Sequence, residues 1–308
     1  MPRTRGFKTS LEKVPGTSGL ARAGVTYAQV TREGERSWRN YDFVMVTYLD
    51  EILHHHRARA AADERDWRER IGSVREPAPS MFAALTESTN GNLKVIAEVK
   101  RRSPSKGWLH EGLDVGQLAR TYAEGGATAI SVLTDAEHFA GSLGDLDTVR
   151  HAVSLPILRK DFTVSANDVL DAADAGASAV LLIVAALSDE ELEEFIGVTH
   201  AADLDAVVEV HDGDQAKRAL DCGARIIGVN QRNLHTFEVD RDNAARVIES
   251  LPSSIVTVCE SGLASPMDVT HAADAGFDSV LVGEAFVTAP QVAEVVRAFS
   301  SVAMVNRG

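Results

Sequence analysis

Val95-Ile96-Ala97-Glu98-Val99-Lys100-Arg101-Arg102-Ser103-Pro104-Ser105-Lys106-Gly107 joins an apolar run to a Ser-Pro-Ser loop. Residues two apart on a strand point to the same side. The spacing therefore puts Glu98 and Lys100 into one space, where a strand opens into a loop. Burying an ion pair purely for structure costs desolvation free energy. An acid and a base at such a place point to catalysis instead.

The same pattern of short apolar run, polar end and helical stretch recurs from residue 80 onward. Strands are expected at 94–99, 129–133, 156–159, 179–183, 205–209, 226–229, 255–258 and 279–282. Helices are expected at 115–124, 143–152, 166–175, 189–203, 213–221, 240–248, 266–275 and 290–299. Eight strands alternating with eight helices make the arithmetic of an α/β fold of the (β/α)8 TIM-barrel type. Gly126, Gly176, Gly223 and Gly276 each stand between a helix and the next strand, where a left-handed cap stops the helix. A doubly wound sheet uses the same alternation, but no GxGxxG follows the first strand.

Upstream, residues 1–44 are polar and carry Gly6, Pro15, Gly16, Gly19 and Gly24, which reads as an irregular extension. An additional N-terminal helical segment is expected at 45–69, with Met45, Leu49, Ile52 and Leu53 forming its apolar stripe. Residues 45–303 are then one barrel domain including that segment. His54, His55 and His56 are consecutive, so they point in different directions and make poor co-ligands. They are expected to face solvent.

Composition narrows the function classes. With 308 residues and 44% hydrophobic content the chain can bury a large core. A formal net charge of −14 argues against a general nucleic-acid surface and leaves room for a local anion pocket. Cys222 and Cys259 lie far apart and fit no ligand spacing, so a reducing cytoplasm is the expected setting. No apolar run reaches the length of a membrane span, and no apolar core follows Arg3, Arg5 and Lys8. The ten histidines are scattered and HExxH is absent. A monomer acting on a small molecule, with no nucleic-acid or membrane partner, is expected.

In such a barrel the active site lies at the C-terminal ends of the strands. Unusual polar residues fall there: Glu98 and Lys100, Lys160, Glu209 and His211, Asn230 to Asn233, Glu260 and Ser261, and Glu284. The chemistry suggested is acid–base work beside a bound anion. Gly262 and Gly283 follow strands seven and eight, where backbone N–H groups and a short helix commonly cradle phosphate.

These motifs, in this order, resemble the indole-3-glycerol phosphate synthase family. They are Glu98-Val99-Lys100 with the Ser-Pro-Ser-Lys-Gly loop; Ser131-Val132-Leu133-Thr134-Asp135 with Phe139 and Gly141-Ser142; and Leu158-Arg159-Lys160-Asp161-Phe162. Glu209-Val210-His211, Ile227-Gly228-Val229-Asn230 through Arg232-Asn233-Leu234, Glu260-Ser261-Gly262 and Val282-Gly283-Glu284 complete the set. The resemblance covers roughly residues 45 to 300. It implies closure of the indole ring in tryptophan biosynthesis. The substrate would be 1-(2-carboxyphenylamino)-1-deoxyribulose 5-phosphate, a phosphosugar with an anthranilate moiety, and carbon dioxide and water would be lost.

The resemblance also implies roles. Lys160 matches the general acid for ring closure. Lys100 matches the lysine that binds the anthranilate carboxylate and is a candidate acid for dehydration. Glu209 matches the acidic partner in acid–base catalysis, and Glu98 the carboxylate that orients the neighbouring lysine. Asn230 and Ser261 match residues holding hydroxyls of substrate or intermediate. Ser103 and Arg232 match the surroundings of the carboxylate end, Glu260 belongs to the substrate-binding set, and Phe139 and Leu181 match the ring pocket. Gly262, Gly283 and Glu284 match the phosphate turns. No cofactor and no metal are implied. Gln231, Arg102 and Phe286 depart from common family residues without removing a catalytic group. Phosphoribosylanthranilate isomerase, another barrel enzyme, would need a Cys and an Asp as its acid–base pair. Here Cys259 is expected on the face opposite Glu260.

Overall fold

The computed structural model describes residues 47–73, 75–87, 91–104, 106–232 and 239–305, with backbone strands at Thr9–Ser10, Thr26–Val30 and Phe43–Val46. Most of the 1–44 extension, and Ser105, Asn233 and Leu234 of the motifs, lie outside these residues. The three early strands pair antiparallel, with Thr9 opposite Val30 and Thr26 opposite Val46.

Eight parallel strands close on themselves in chain order: β1 (Lys94–Val99), β2 (Ala129–Leu133), β3 (Ile157–Lys160), β4 (Ala179–Ile183), β5 (Asp205–Val210), β6 (Ile226–Asn230), β7 (Val256–Glu260) and β8 (Ser279–Val282). Closure comes from β8 lying beside β1, with Ser279 next to Lys94 and Val282 next to Ala97. This is a (β/α)8 TIM barrel, and the closure rules out the open doubly wound sheet.

Alternation along each strand sorts its residues into two cores. Ile96, Ala129, Leu158, Leu181, Val207, Val258 and Leu281 point inward and pack on one another. Val95, Ala97, Val99, Ile130, Val180, Val208, Val229 and Val280 point outward against the helices. Cys259 belongs to the outer set, as expected. Phe286 is buried between Tyr122 and Phe299 behind the last strand. The helix-ending glycines have φ of 93° (Gly126), 82° (Gly176), 88° (Gly223) and 91° (Gly276), the left-handed region that favours glycine.

Four strand ends differ from the sequence reading. β3, β5, β6 and β7 run one or two residues further, because Lys160 still pairs with Leu133 and Glu260 with Asn230. The charged residues at the mouth are thus held by the sheet itself.

The N-terminal helical segment is also corrected. Met45 belongs to the strand Phe43–Val46, and the helix runs Tyr48–Ala61. Thr47 sets its start through a reciprocal capping box with Asp50. A second short helix, Trp67–Arg70, starts at an Asp66 cap. Leu49 and Ile52 are buried as the stripe predicts. His54 and His55 are exposed, but His56 is buried at 4% exposure, contrary to the solvent-facing expectation. It lies on the same face as Leu49 and Ile52, four residues beyond Ile52.

The barrel floor is closed by the helix Met81–Thr86, whose Met81 and Leu85 join the inner core. Asp205, the first residue of β5, accepts hydrogen bonds from the Ser80 hydroxyl and the Phe82 N–H and fixes this plug. Among the described residues no helix is long and apolar enough to cross a membrane.

Candidate active site

The C-terminal ends of the strands surround a cavity of about 750 Å³. Inward positions at the ends of β1, β3, β5 and β7 supply Glu98, Lys160, Glu209 and Glu260. Lys160 Nζ lies 3.4 Å from Glu209 Oε2 and 3.5 Å from Glu260 Oε2. Lys100 Nζ is 2.5 Å from Glu98 Oε1. Asn230 donates to Glu209 Oε1 at 3.1 Å, and its own oxygen accepts from the Arg232 N–H. The Tyr122 hydroxyl donates to the Glu98 carbonyl and fixes the strand end from outside.

Burial alone would pull the Lys160 ammonium down, but the charges of Glu209, Glu260 and Glu98 outweigh it and raise its pKa. The glutamates diverge. Burial pushes Glu260 up to about 8, helped by the negative charges of Glu209 and Glu98 against the pull of Lys160. Burial also opposes ionisation of Glu209, yet Lys160, His211 and the Asn230 hydrogen bond hold it below the ordinary range. Neighbouring carboxylates with separated affinities are the usual mark of assigned acid and base roles.

Two glycines make room for these carboxylates. A Cβ at Gly228, inward on β6, would collide with Glu260 Oε1. A Cβ at Gly283 would collide with Glu98 Oε1 and approach Lys100 Nζ. Among the described residues Glu260 Oε1 is buried without a hydrogen-bond partner, a cost that a site kept ready for a ligand explains. Ser261 has φ of 68°, a strained conformation for a residue other than glycine, and Gly262 follows at 70°. The strain turns the end of β7 sharply over the cavity.

Each residue that the resemblance assigns to the site lines this cavity: Lys100, Lys160, Glu98, Glu209, Asn230 and Ser261; Ser103, Phe139, Leu181, Arg232 and Glu260; and Gly262, Gly283 and Glu284; His211 and Gln231, also at strand ends, do not. Glu284 begins the short helix Glu284–Val287 and pairs with Lys106, so this ion pair joins the adjacent loops after β1 and β8 at the rim.

Sequence reasoning missed Tyr48, Leu49 and Ile52 as lining residues, together with Leu133, Phe162 and Ile183. Leu133 and Ile183 follow from strand alternation once Ser131 and Leu181 are set inward. The helix residues carry no local signal of what they cover. Gly228 was legible only as part of a motif.

Beside the cavity, His56 Nε2, Asp135 Oδ2 and Asp161 Oδ1 converge within 4.8 Å of one another. Asp161 already pairs with Arg159 at 2.9 Å and accepts from Thr134, while Arg59 contacts the other nitrogen of His56. Burial would raise the Asp135 carboxyl, but hydrogen bonds from His56 and His138 hold it well below the ordinary range. These contacts make a hydrogen-bonded network rather than an open metal centre.

Comparisons with known proteins agree with this architecture. The family model described as indole-3-glycerol phosphate synthase matches residues 49–299. An indole-3-glycerol phosphate synthase of Mycobacterium sp. (strain KMS) is 49% identical over 247 residues, covering 79% of this chain and 89% of the relative. One of Arthrobacter sp. (strain FB24) is 45% identical over 254 residues, covering 79% and 92%. Among solved structures, 3-hexulose-6-phosphate synthase from Salmonella typhimurium matches with a TM-score of 0.55 at 14% identity, covering 68% of this chain and 97% of that one. Thiamine phosphate pyrophosphorylase from Pyrococcus furiosus matches at 0.54 and 19%, covering 68% and 94%. At such identities these two speak for the barrel alone. With its eight-stranded barrel, its ring of charged strand ends and a family match across most of its length, the chain belongs to the indole-3-glycerol phosphate synthase family, lyases of tryptophan biosynthesis.

Proposed function

We propose that this chain converts 1-(2-carboxyphenylamino)-1-deoxyribulose 5-phosphate to indole-3-glycerol phosphate, carbon dioxide and water, as a carbon–carbon carboxy-lyase. The observation that carries this reading is Lys160, half-buried between Glu209 and Glu260 and facing the cavity that Lys100 also enters.

The ring carbon bearing the carboxylate attacks the C2 carbonyl, and a carbon–carbon bond forms as the carbonyl electrons move to oxygen. Lys160 donates a proton to that oxygen. Its acid–base neighbours make its ammonium a weak acid, but the alkoxide is more basic still, so the transfer is favourable. The carbon–carboxylate bond then breaks, carbon dioxide leaves, and its electrons neutralise the iminium nitrogen. Finally the C2 hydroxyl leaves as water with a proton from a lysine, Lys100 being the candidate. The adjacent carbon gives its proton to Glu209, held ionised by Lys160.

Lys100, Ser103 and Arg232 hold the substrate carboxylate before it leaves, with Glu98 orienting Lys100. Phe139 and Leu181 flank the ring. Asn230, Ser261 and Glu260 hold hydroxyls, and the backbone at Gly262, Gly283 and Glu284 receives the phosphate. On this reading the chain works as a monomer, a single barrel domain over 45–303 with 1–44 as an extension.

The test is direct. Purified protein is mixed with the substrate and the fluorescence of indole-3-glycerol phosphate is followed, beside a Lys160→Ala variant. Turnover lost in the variant is expected. Folded wild-type protein that makes no product overturns the proposal.

A further inference from the structure

We propose that His56 is a positioning residue that sets the aromatic wall of the substrate pocket, by locking the N-terminal helix to two loops that carry the wall. The inference rests on the reading that an anthranilate ring occupies this cavity.

His56 is almost fully buried on the helix Tyr48–Ala61. Its Nδ1 faces Arg59 Nη2 at 3.3 Å. Arginine only donates, so Nδ1 accepts and the ring hydrogen sits on Nε2. Nε2 then donates to Asp135 Oδ2 at 2.9 Å, with Asp161 Oδ1 at 3.8 Å. Arg59 is itself anchored by Asp168 Oδ1 at 2.7 Å. The tautomer and the orientation of the ring are therefore both fixed from outside.

The two carboxylates do more than receive His56. Asp135 Oδ1 accepts from the backbone N–H groups of His138 and Phe139, at 2.6 and 3.2 Å. Asp161 Oδ1 accepts from the backbone N–H of Phe162 at 2.8 Å. Each acid that faces His56 thus holds the main chain of one cavity phenylalanine. The ring of Phe162 lies 5.5 Å from His56 and 6.4 Å from Phe139. On the helix itself Tyr48, Leu49 and Ile52 close the same side of the cavity. The imidazole hydrogen-bonds the loop of Asp135 and packs against the ring of Phe162, and so joins three separate elements whose apolar side chains face the same space.

A side chain with this task affects binding of the ring more than the proton transfers at Lys160. The experiment compares His56→Leu, which removes both hydrogen bonds, with His56→Gln, which keeps one donor and one acceptor. KM and kcat are measured, with the dissociation constant of a substrate analogue reduced at its carbonyl so that it cannot react. Affinity for inorganic phosphate serves as a control on the far end of the cavity. The leucine variant is expected to raise KM and the analogue's dissociation constant about tenfold. Its kcat and phosphate affinity stay within about twofold of wild type, and the glutamine variant stays near wild type throughout. If the leucine variant does not fold, His56→Asn, polar but too short for Asp135, takes its place. A lowered melting temperature with unchanged KM and analogue affinity would overturn the inference, as would a loss confined to kcat. Wild-type protein that binds the analogue without turning over substrate refutes the proposed reaction, while His56 is still judged by analogue binding. Wild-type protein that does not bind the analogue refutes both.

Discussion

At the floor of the barrel Met81 and Leu85 plug the strands with apolar side chains, and the carboxylates of Asp205 and Asp278 are taken up by backbone and hydroxyl donors. At the mouth the same strands end in the buried Glu98, Glu209 and Glu260 and the half-buried Lys160, and the buried Glu260 Oε1 has no hydrogen-bond partner among the described residues. The strands are continuous and the side-chain alternation is the same at both ends. What changes is the use of burial. Below, it removes apolar surface from water and stabilises. Above, it strips water from charges, which costs stability and separates the proton affinities of neighbouring acids. A barrel can carry a strained mouth because its floor and outer shell hold it.

Substitution at the two ends should therefore separate activity from stability. Lys160→Met is expected to lower kcat by about 10²–10⁴-fold, the usual range for a positioned acid. A kcat within tenfold of wild type, measured on protein shown to be folded by circular dichroism, would remove Lys160 from the chemistry. Met81→Ala is expected to cost about 2–5 kcal/mol in urea unfolding by opening a cavity in the inner core. Its kcat should stay within about twofold of wild type, because floor and mouth are separated by layers of packed side chains. Loss of activity equal to that at Lys160 would show that the ends are not independent.

Gly228→Ala probes the boundary between the two regimes. The new methyl meets the end of a flexible glutamate, so the fold should survive while Glu260 moves aside. A displacement of that kind costs about 10²-fold in kcat/KM. Unchanged kinetics would show that the place of the Glu260 carboxylate does not matter to turnover.

The barrel was legible because it is written in repeated local terms: eight apolar runs, polar strand ends and glycines at the helix stops. Lys160 and Glu260 are legible at the mouth even from strands read too short, since a residue at a strand end keeps its face whether or not it pairs. Two features resisted reading. The N-terminal helix starts at Tyr48 because a Thr47–Asp50 capping box outcompetes the apolar pattern that extends back to Met45. His56 looked like one of three solvated histidines, because its partners Asp135 and Asp161 lie 79 and 105 residues away. Short-range pattern sees which face of a helix is apolar, but the polar group that face meets is decided by the fold.

The last effect is a slope with pH, and its sign is what informs. Burial raises the Glu260 carboxyl to about 8 in the folded protein, from an unfolded value near 4.3. Between these values the folded state binds more protons at this site than the unfolded state, so its contribution to stability falls as pH rises. That contribution is fully present below the unfolded value and is lost by the time pH passes the folded one. Glu209, held below the ordinary range, has the opposite sign and loses its contribution only in acid. Glu260→Gln deletes the first slope and leaves the second. The melting temperature of the variant relative to wild type should therefore rise from about pH 5 to about pH 8 and then level off. A difference that is flat across that window, or that falls, would mean that Glu260 is ionised throughout and that Lys160, rather than burial, sets its proton affinity.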